Sequence, residues 1–231
     1  EISASFAALL SLWAVSHASL ELSVAVGQAR RDGLHALQTG TGTPAHDALL
    51  LVQAARTLIA DPTDAWPVAL PTPDPLAAEQ TRSWRINNLF LGAVSWALRH
   101  EVGHLVLKHE MTLPADQLRK QEFEADTWAT QWVLAGASQD LAREFRVFCV
   151  ATGLAWLGLV QAVRGEGPTH PPAPQRFLNC AAEFLNDELS PAIEMAGDVL
   201  KTLFDPSAQL EVSEHPLEAF ERLLLHLRGV M

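Results

Sequence analysis

Apolar residues along this chain recur mostly three and four positions apart, the spacing of helices that bury one face. Residues 2–20 are apolar and rich in Ala and Ser, and they read as a helix. Leu20, Leu22, Val24 and Val26 then alternate with Glu21, Ser23 and Ala25. That pattern fits a strand as well as it fits a continuation of the first helix to about Leu37. A strand at a sheet edge would matter, because extended peptides bind by strand addition. The run Thr39-Gly40-Thr41-Gly42-Thr43-Pro44 is a turn. Thr43 caps the next helix, with Pro44 in its first turn and Asp47 near its positive end, and that helix is predicted to run to about Ala60. Pro62, Pro67, Pro71, Pro73 and Pro75 make 61–75 a loop, either a plain connection or a wall for whatever the next helix carries. Leu89, Phe90, Ala93, Val94, Ala97 and Leu98 mark that helix, which is predicted to end near Met111. Residues 112–120 then link to a helix over 121–134, broken near Gly136. Residues 140–164 are helical until Gly165-Glu166-Gly167-Pro168 stops them. Residues 174–204 and 216–228 complete a helical C-terminal part, parted by a turn at Asp205-Pro206.

At 231 residues the chain reads as one domain, 1–231, with a core over 81–180 and a helical C-terminal part over 181–231. A 48% share of hydrophobic residues is enough for a sizeable core. The net charge of −11 argues against a nucleic-acid partner and against an anionic membrane surface. Residues 147–163 form a 17-residue uncharged run. As a helix it spans roughly 26 Å, short of the roughly 30 Å hydrocarbon core of a bilayer. It also holds Thr152, Gly153, Gly158 and Gln161, so it is no convincing membrane span and reads as a buried core helix. No basic segment precedes the first apolar stretch, which argues against a signal peptide. The start at Glu1 rather than Met reads as a piece of a longer chain. Cys149 and Cys180 make at most one pair, not a disulfide framework, and Cys149 reads as a buried small hydrophobe. A reducing, cytoplasmic setting is the expectation.

Candidate chemistry centres on His100-Glu101-Val102-Gly103-His104. Residues four apart on a helix lie one turn above each other, so both imidazoles project from one face. Two imidazoles there can grip one Zn²⁺, with Glu101 beside them to manage a water. A catalytic zinc site needs a third protein ligand and one open position. Glu122, Glu124 and Asp126 lie downstream, and Glu122 and Asp126 share a face while Glu124 points elsewhere. One of that pair could bind metal while the other orients a ligand imidazole. Alternatively the three are a solvated acidic first turn, which suits a helix N-terminus. Gly103 lacks a side chain where the helix meets the cleft or neighbouring backbone. His109 follows His104 by five residues, a rotation of about 140°, so it is a poor ligand and reads as a charge near the helix C-terminus. His17, His35, His46, His215 and His226 have no ligand-like spacing and read as surface or satisfied core residues.

His-Glu-x-x-His at 100–104 with Glu-x-x-Ala-Asp at 122–126 resembles the gluzincin-type zinc metallopeptidases. The segment Thr169-His170-Pro171 followed by Arg176 resembles a third element of the same proteins. The likeness covers residues 85–180 and is greatest to the Lit-type phage-exclusion peptidases, then to the HtpX and CAAX-prenyl-protease group. It implies a mainly α, zincin-like metallopeptidase domain with at most a small edge sheet. It implies Zn²⁺ held by His100, His104 and Glu122, with Glu101 as general base. It further implies His170 near the site to steady the tetrahedral intermediate, Asp126 supporting the site and Arg176 pairing with a carboxylate such as Asp126. The expected partner is a protein or peptide substrate, with phage defence and an activator or inhibitor protein implied by the Lit-type likeness alone. Two other readings stay open: a membrane-linked quality-control protease of the HtpX type, and a zinc-stabilised regulatory module without turnover.

Overall fold

The first 28-residue helix, α1 (Ala4–Arg31), carries small and apolar residues on every side and is accordingly buried along most of its length. The computed structural model describes residues 4–34, 37–137, 141–184, 190–204 and 216–227. Among them there is no strand. The alternation at 20–26 lies within α1, and its physical source is Glu21. That carboxylate is fully buried, 3.1 Å from His17 Nε2 and ion-paired with Arg82, so a polar residue points inward where the pattern implied outward. No strand is therefore offered there for a peptide to extend.

Thr43 caps α2 (Pro44–Ala60) by accepting a hydrogen bond from the His46 amide, and α2 packs along α1. The proline-rich connection that follows packs Trp66 edge-on against Trp13 of α1, with ring centroids 6.1 Å apart. Thr81 caps α3 (Arg82–Val106) through the Trp84 amide. α3 stops five residues before Met111. Lys108 takes a left-handed conformation at φ 57°, the His109 amide reaches back to the His104 carbonyl, and the Lys108 amide reaches that of Leu105. These two bonds make a Schellman turn whose C′ residue is not glycine, at a cost of about 1 kcal/mol. The apolar run Leu105-Val106-Leu107 suggested more helix, but all three side chains are exposed.

α4 (Ala115–Leu134), with Pro114 at its N-cap, begins six residues before the expected start at 121. Its first turns are polar and exposed, with burial starting at Glu122, so no periodic signal marks them. Glu122, Glu124 and Asp126 consequently lie in the helix interior and are not an acidic first turn.

α5 (Leu141–Arg164) is the central element, touching α1, α2, α3 and α4, and also α6 (Ala173–Phe184) and α7 (Pro191–Phe204). Residues 174–204 are thus two helices, and α8 (Pro216–Leu227) packs on both. α3 approaches α5 closely because Gly92 faces Cys149, whose Sγ lies 2.3 Å from where a Cβ on Gly92 would be. Both α1 and α5 are long and apolar enough to cross a membrane, and 78% and 61% of their most apolar windows are buried within the fold. Cys149 and Cys180 are buried free thiols, and burial raises the Cys149 thiol to about 12. His35, His215, the expected helix start at 140 and the expected turn at Asp205-Pro206 lie outside the described residues.

Candidate metal centre

α3 and α4 pack side by side, and Gly103 permits it: a Cβ there would meet Trp128 at 3.2 Å and the Ala125 backbone at 3.4 Å. Gly103 therefore faces α4, not the cleft. Across this contact His100 and His104 of α3 meet Glu122 of α4. The two Nε2 atoms are 3.1 Å apart. Glu122 Oε2 lies 3.4 Å from His100 Nε2, and Oε1 lies 3.5 Å from His104 Nε2. A cation bonded at about 2.0–2.2 Å to three donors in a tetrahedral array holds them roughly 3.3–3.5 Å apart. The two nitrogen–oxygen distances, to different oxygens of Glu122, fall in that range and the nitrogen–nitrogen distance is somewhat shorter, and these three residues could hold a metal ion. Glu122 Oε2 is also buried and accepts no hydrogen bond, an orphan that a cation would satisfy.

The electrostatics point the same way. Burial alone pulls His100 down, yet the Asp126 hydrogen bond and the facing Glu122 carboxylate outweigh it and raise the imidazole to about 9. Burial and the neighbouring His100 hold His104 below the ordinary imidazole range. Burial would raise Glu122, but the adjacent His100 imidazole and the Arg176 charge bring it below the usual carboxylate range. His100 and Glu122 thus favour positive charge between them.

Behind the triangle, Asp126 Oδ1 accepts from His100 Nδ1 at 2.9 Å, which turns Nε2 towards Glu122. Arg176 of α6 grips Asp126 with two bonds, Nε to Oδ2 at 2.8 Å and Nη2 to Oδ1 at 2.6 Å, and both side chains are buried. Its Nη1 is 3.6 Å from Glu122 Oε2. In front, the site opens into a cleft of about 640 Å³. Leu9 and Leu12 of α1, Ala97 and Leu98 of α3, and Trp156 and Leu157 of α5 line it, and Glu101 and His170 both face it. His170 is half exposed, with Nε2 3.6 Å from Glu122 Oε1 and Nδ1 3.1 Å from the Thr169 hydroxyl.

Residues 2–196 match the family Peptidase U49. The chain belongs to that family. Over 135 residues it is 30% identical to the Cell death peptidase of Escherichia coli strain K12, a stretch covering 56% of this chain and 44% of that relative. The match thus spans less than half of the relative's length. No solved structure matches.

In this U49 chain all seven residues singled out from the sequence converge on one place. Other contributors were not legible. None of 61–75 lines the cleft; the N-terminal part of α1 does so instead. Gln161 of α5 donates to the Pro171 carbonyl at 2.9 Å and accepts from the Ala173 amide at 2.7 Å, which fixes the segment carrying His170 and the start of α6. Its one sequence signal was a polar residue inside an apolar run. His109 does not project into solvent from the helix end: its side chain is 4% exposed and its Nδ1 lies 2.8 Å from His104 Nδ1. Of the remaining described histidines, His17 is buried against Glu21, and His46 and His226 are away from the cluster and reach the surface.

Proposed function

We propose that this chain is a zinc-dependent endopeptidase acting on a protein or peptide substrate. The observation that carries the reading is the His100–His104–Glu122 cluster, close enough to share one ion and opening on a cleft that Glu101 also lines. Two nitrogens and a carboxylate suit Zn²⁺. Bound there, zinc would polarise the scissile carbonyl and increase the acidity of a water molecule. Asp126 keeps His100 in the tautomer that leaves Nε2 free for the ion. Arg176 holds Asp126 still and neutralises charge that would otherwise be buried alone. Glu101 accepts a proton from the attacking water and delivers it to the leaving amine nitrogen. His170 also reaches the cleft and donates a hydrogen bond from Nε2 to the developing oxyanion.

The membrane-linked alternative draws on the two long apolar helices, α1 and α5. Each already buries most of its apolar window against the rest of the chain, which favours reading both as core helices. A regulatory module without turnover would have no use for Glu101. The name of the Escherichia coli relative suggests that cleavage ends in loss of viability. The same reading extends to phage defence, with an activator or inhibitor protein controlling the open cleft.

The test is Glu101→Gln, scored by mass spectrometry of products from a peptide library and by metal analysis. Cleavage should fall by at least about 10²–10⁴-fold with one zinc per chain retained. Undiminished cleavage by the variant would remove the mechanism.

A further inference from the structure

The His100 imidazole has a carboxylate behind it, and a metal ligand needs such a partner to choose its tautomer. What stands behind His104 is different. We infer that His109, backed by Glu124, is the positioning residue that sets the tautomer and orientation of His104 as a metal ligand. This rests on the metal reading above.

The protons can be placed one at a time. His104 turns Nε2 towards His100 and Glu122, at 3.1 and 3.5 Å. For that nitrogen to bind an ion, the ring proton must be on Nδ1. Nδ1 faces His109 Nδ1 at 2.8 Å, and two nitrogens at that distance need one donor and one acceptor. His104 Nδ1–H donates, so His109 Nδ1 accepts and carries no proton. The His109 proton is then on Nε2, which lies 3.2 Å from Glu124 Oε2, a carboxylate oxygen able to accept it. Each group in the chain Glu124–His109–His104 is left with a single role.

Two further observations show that His109 is held there. The His109 amide donates to the His104 carbonyl at 3.0 Å, so the two residues are joined through backbone and ring alike. The left-handed turn at Lys108 that makes this possible is one that a non-glycine residue adopts reluctantly. The imidazole is also 4% exposed although Lys108, Glu110 and Met111 around it are exposed. Glu124 is nearly half exposed and lies 3.7 Å from Lys120, so it is the weaker outer member. The three acidic residues of 122–126 thus divide their work: Glu122 faces the ion, Asp126 steadies His100, and Glu124 steadies His109.

The experiment measures zinc affinity of the purified chain by competition with a chromophoric chelator, alongside unfolding of the metal-free protein. His109→Ala should bind zinc about 10–100-fold more weakly. His109→Asn places an amide oxygen where Nδ1 stood and should recover most of that loss. His109→Leu fills the space but accepts nothing, and should stay weak. Glu124→Gln should change affinity only a few-fold. Should the alanine variant not fold, the Asn and Leu pair carries the comparison. Wild-type affinity in the alanine or leucine variant, or equal losses in Asn and Leu, would overturn the role of His109. A wild-type chain that binds no zinc would instead overturn the metal reading itself, before any substitution is compared.

Discussion

Arg176 supports the site through Asp126 as well as lining the cleft. Its guanidinium closes two bonds on Asp126, and Asp126 in turn closes on His100. Breaking a buried pair by removing one partner leaves the other charge uncompensated. Arg176→Met should therefore lower unfolding free energy by about 3–5 kcal/mol, measured by urea denaturation of the metal-free chain. Asp126→Asn keeps the shape and removes the charge, and zinc affinity should fall about 10–100-fold while Glu101 stays in place. Unchanged affinity in that variant would mean that His100 is oriented by packing alone. At this scale the motif residues were legible because helical spacing by itself puts His100 above His104 and Glu122 beside Asp126. His109 was not legible. Extrapolating the helical rotation past Val106 sends its ring away from His104, whereas the turn at Lys108 brings it back.

Helices place the site by how closely they approach. α3 can rest on α5 because Gly92 has no Cβ to strike Cys149, and on α4 because Gly103 has none to strike Trp128. Gly92→Ala should cost about 1–3 kcal/mol in thermal or urea unfolding, as overpacked cores do. Cys149→Ala added to it should restore part of the loss, since Sγ is the nearer atom. No recovery would show that backbone displacement, not that side chain, sets the cost. Helix existence was legible from apolar periodicity, and helix ends were not. α4 starts in an exposed polar turn that carries no pattern, and α3 stops inside an apolar run that the fold leaves in solvent. The strand-like alternation in α1 misled for the converse reason, because Glu21 is a buried acid with its own partners, His17 and Arg82.

Across the whole molecule, α1 and α7 are joined by Arg30, which pairs with Glu194 at 2.9 Å and Asp198 at 2.8 Å. Burial raises the Asp198 carboxyl to about 6, Arg30 and Lys201 oppose it, and Glu194 adds to it. A raised acid is favoured by the fold in its protonated form. Its contribution is complete below about pH 4 and is lost as pH rises through about 6. Asp198→Asn should accordingly gain stability relative to the wild type between pH 4 and 7, by at most about 3 kcal/mol, read from urea midpoints across that range. A constant difference between the two proteins would show that Asp198 ionises in the fold as it does in the open chain.

The sequence by itself determined the elements of the chemistry: which helices form, which residues share a face, and that two imidazoles and the carboxylates of Glu101, Glu122 and Asp126 are available. Those follow from local periodicity, which is a property of neighbours in the chain. Only the tertiary structure decided that Glu122 closes on the two histidines, that α1 walls the cleft, that Gln161 fixes the His170 segment and that His109 stands behind His104. Those depend on how near one helix comes to another and on where a helix ends, and both are settled by packing among residues far apart in the sequence.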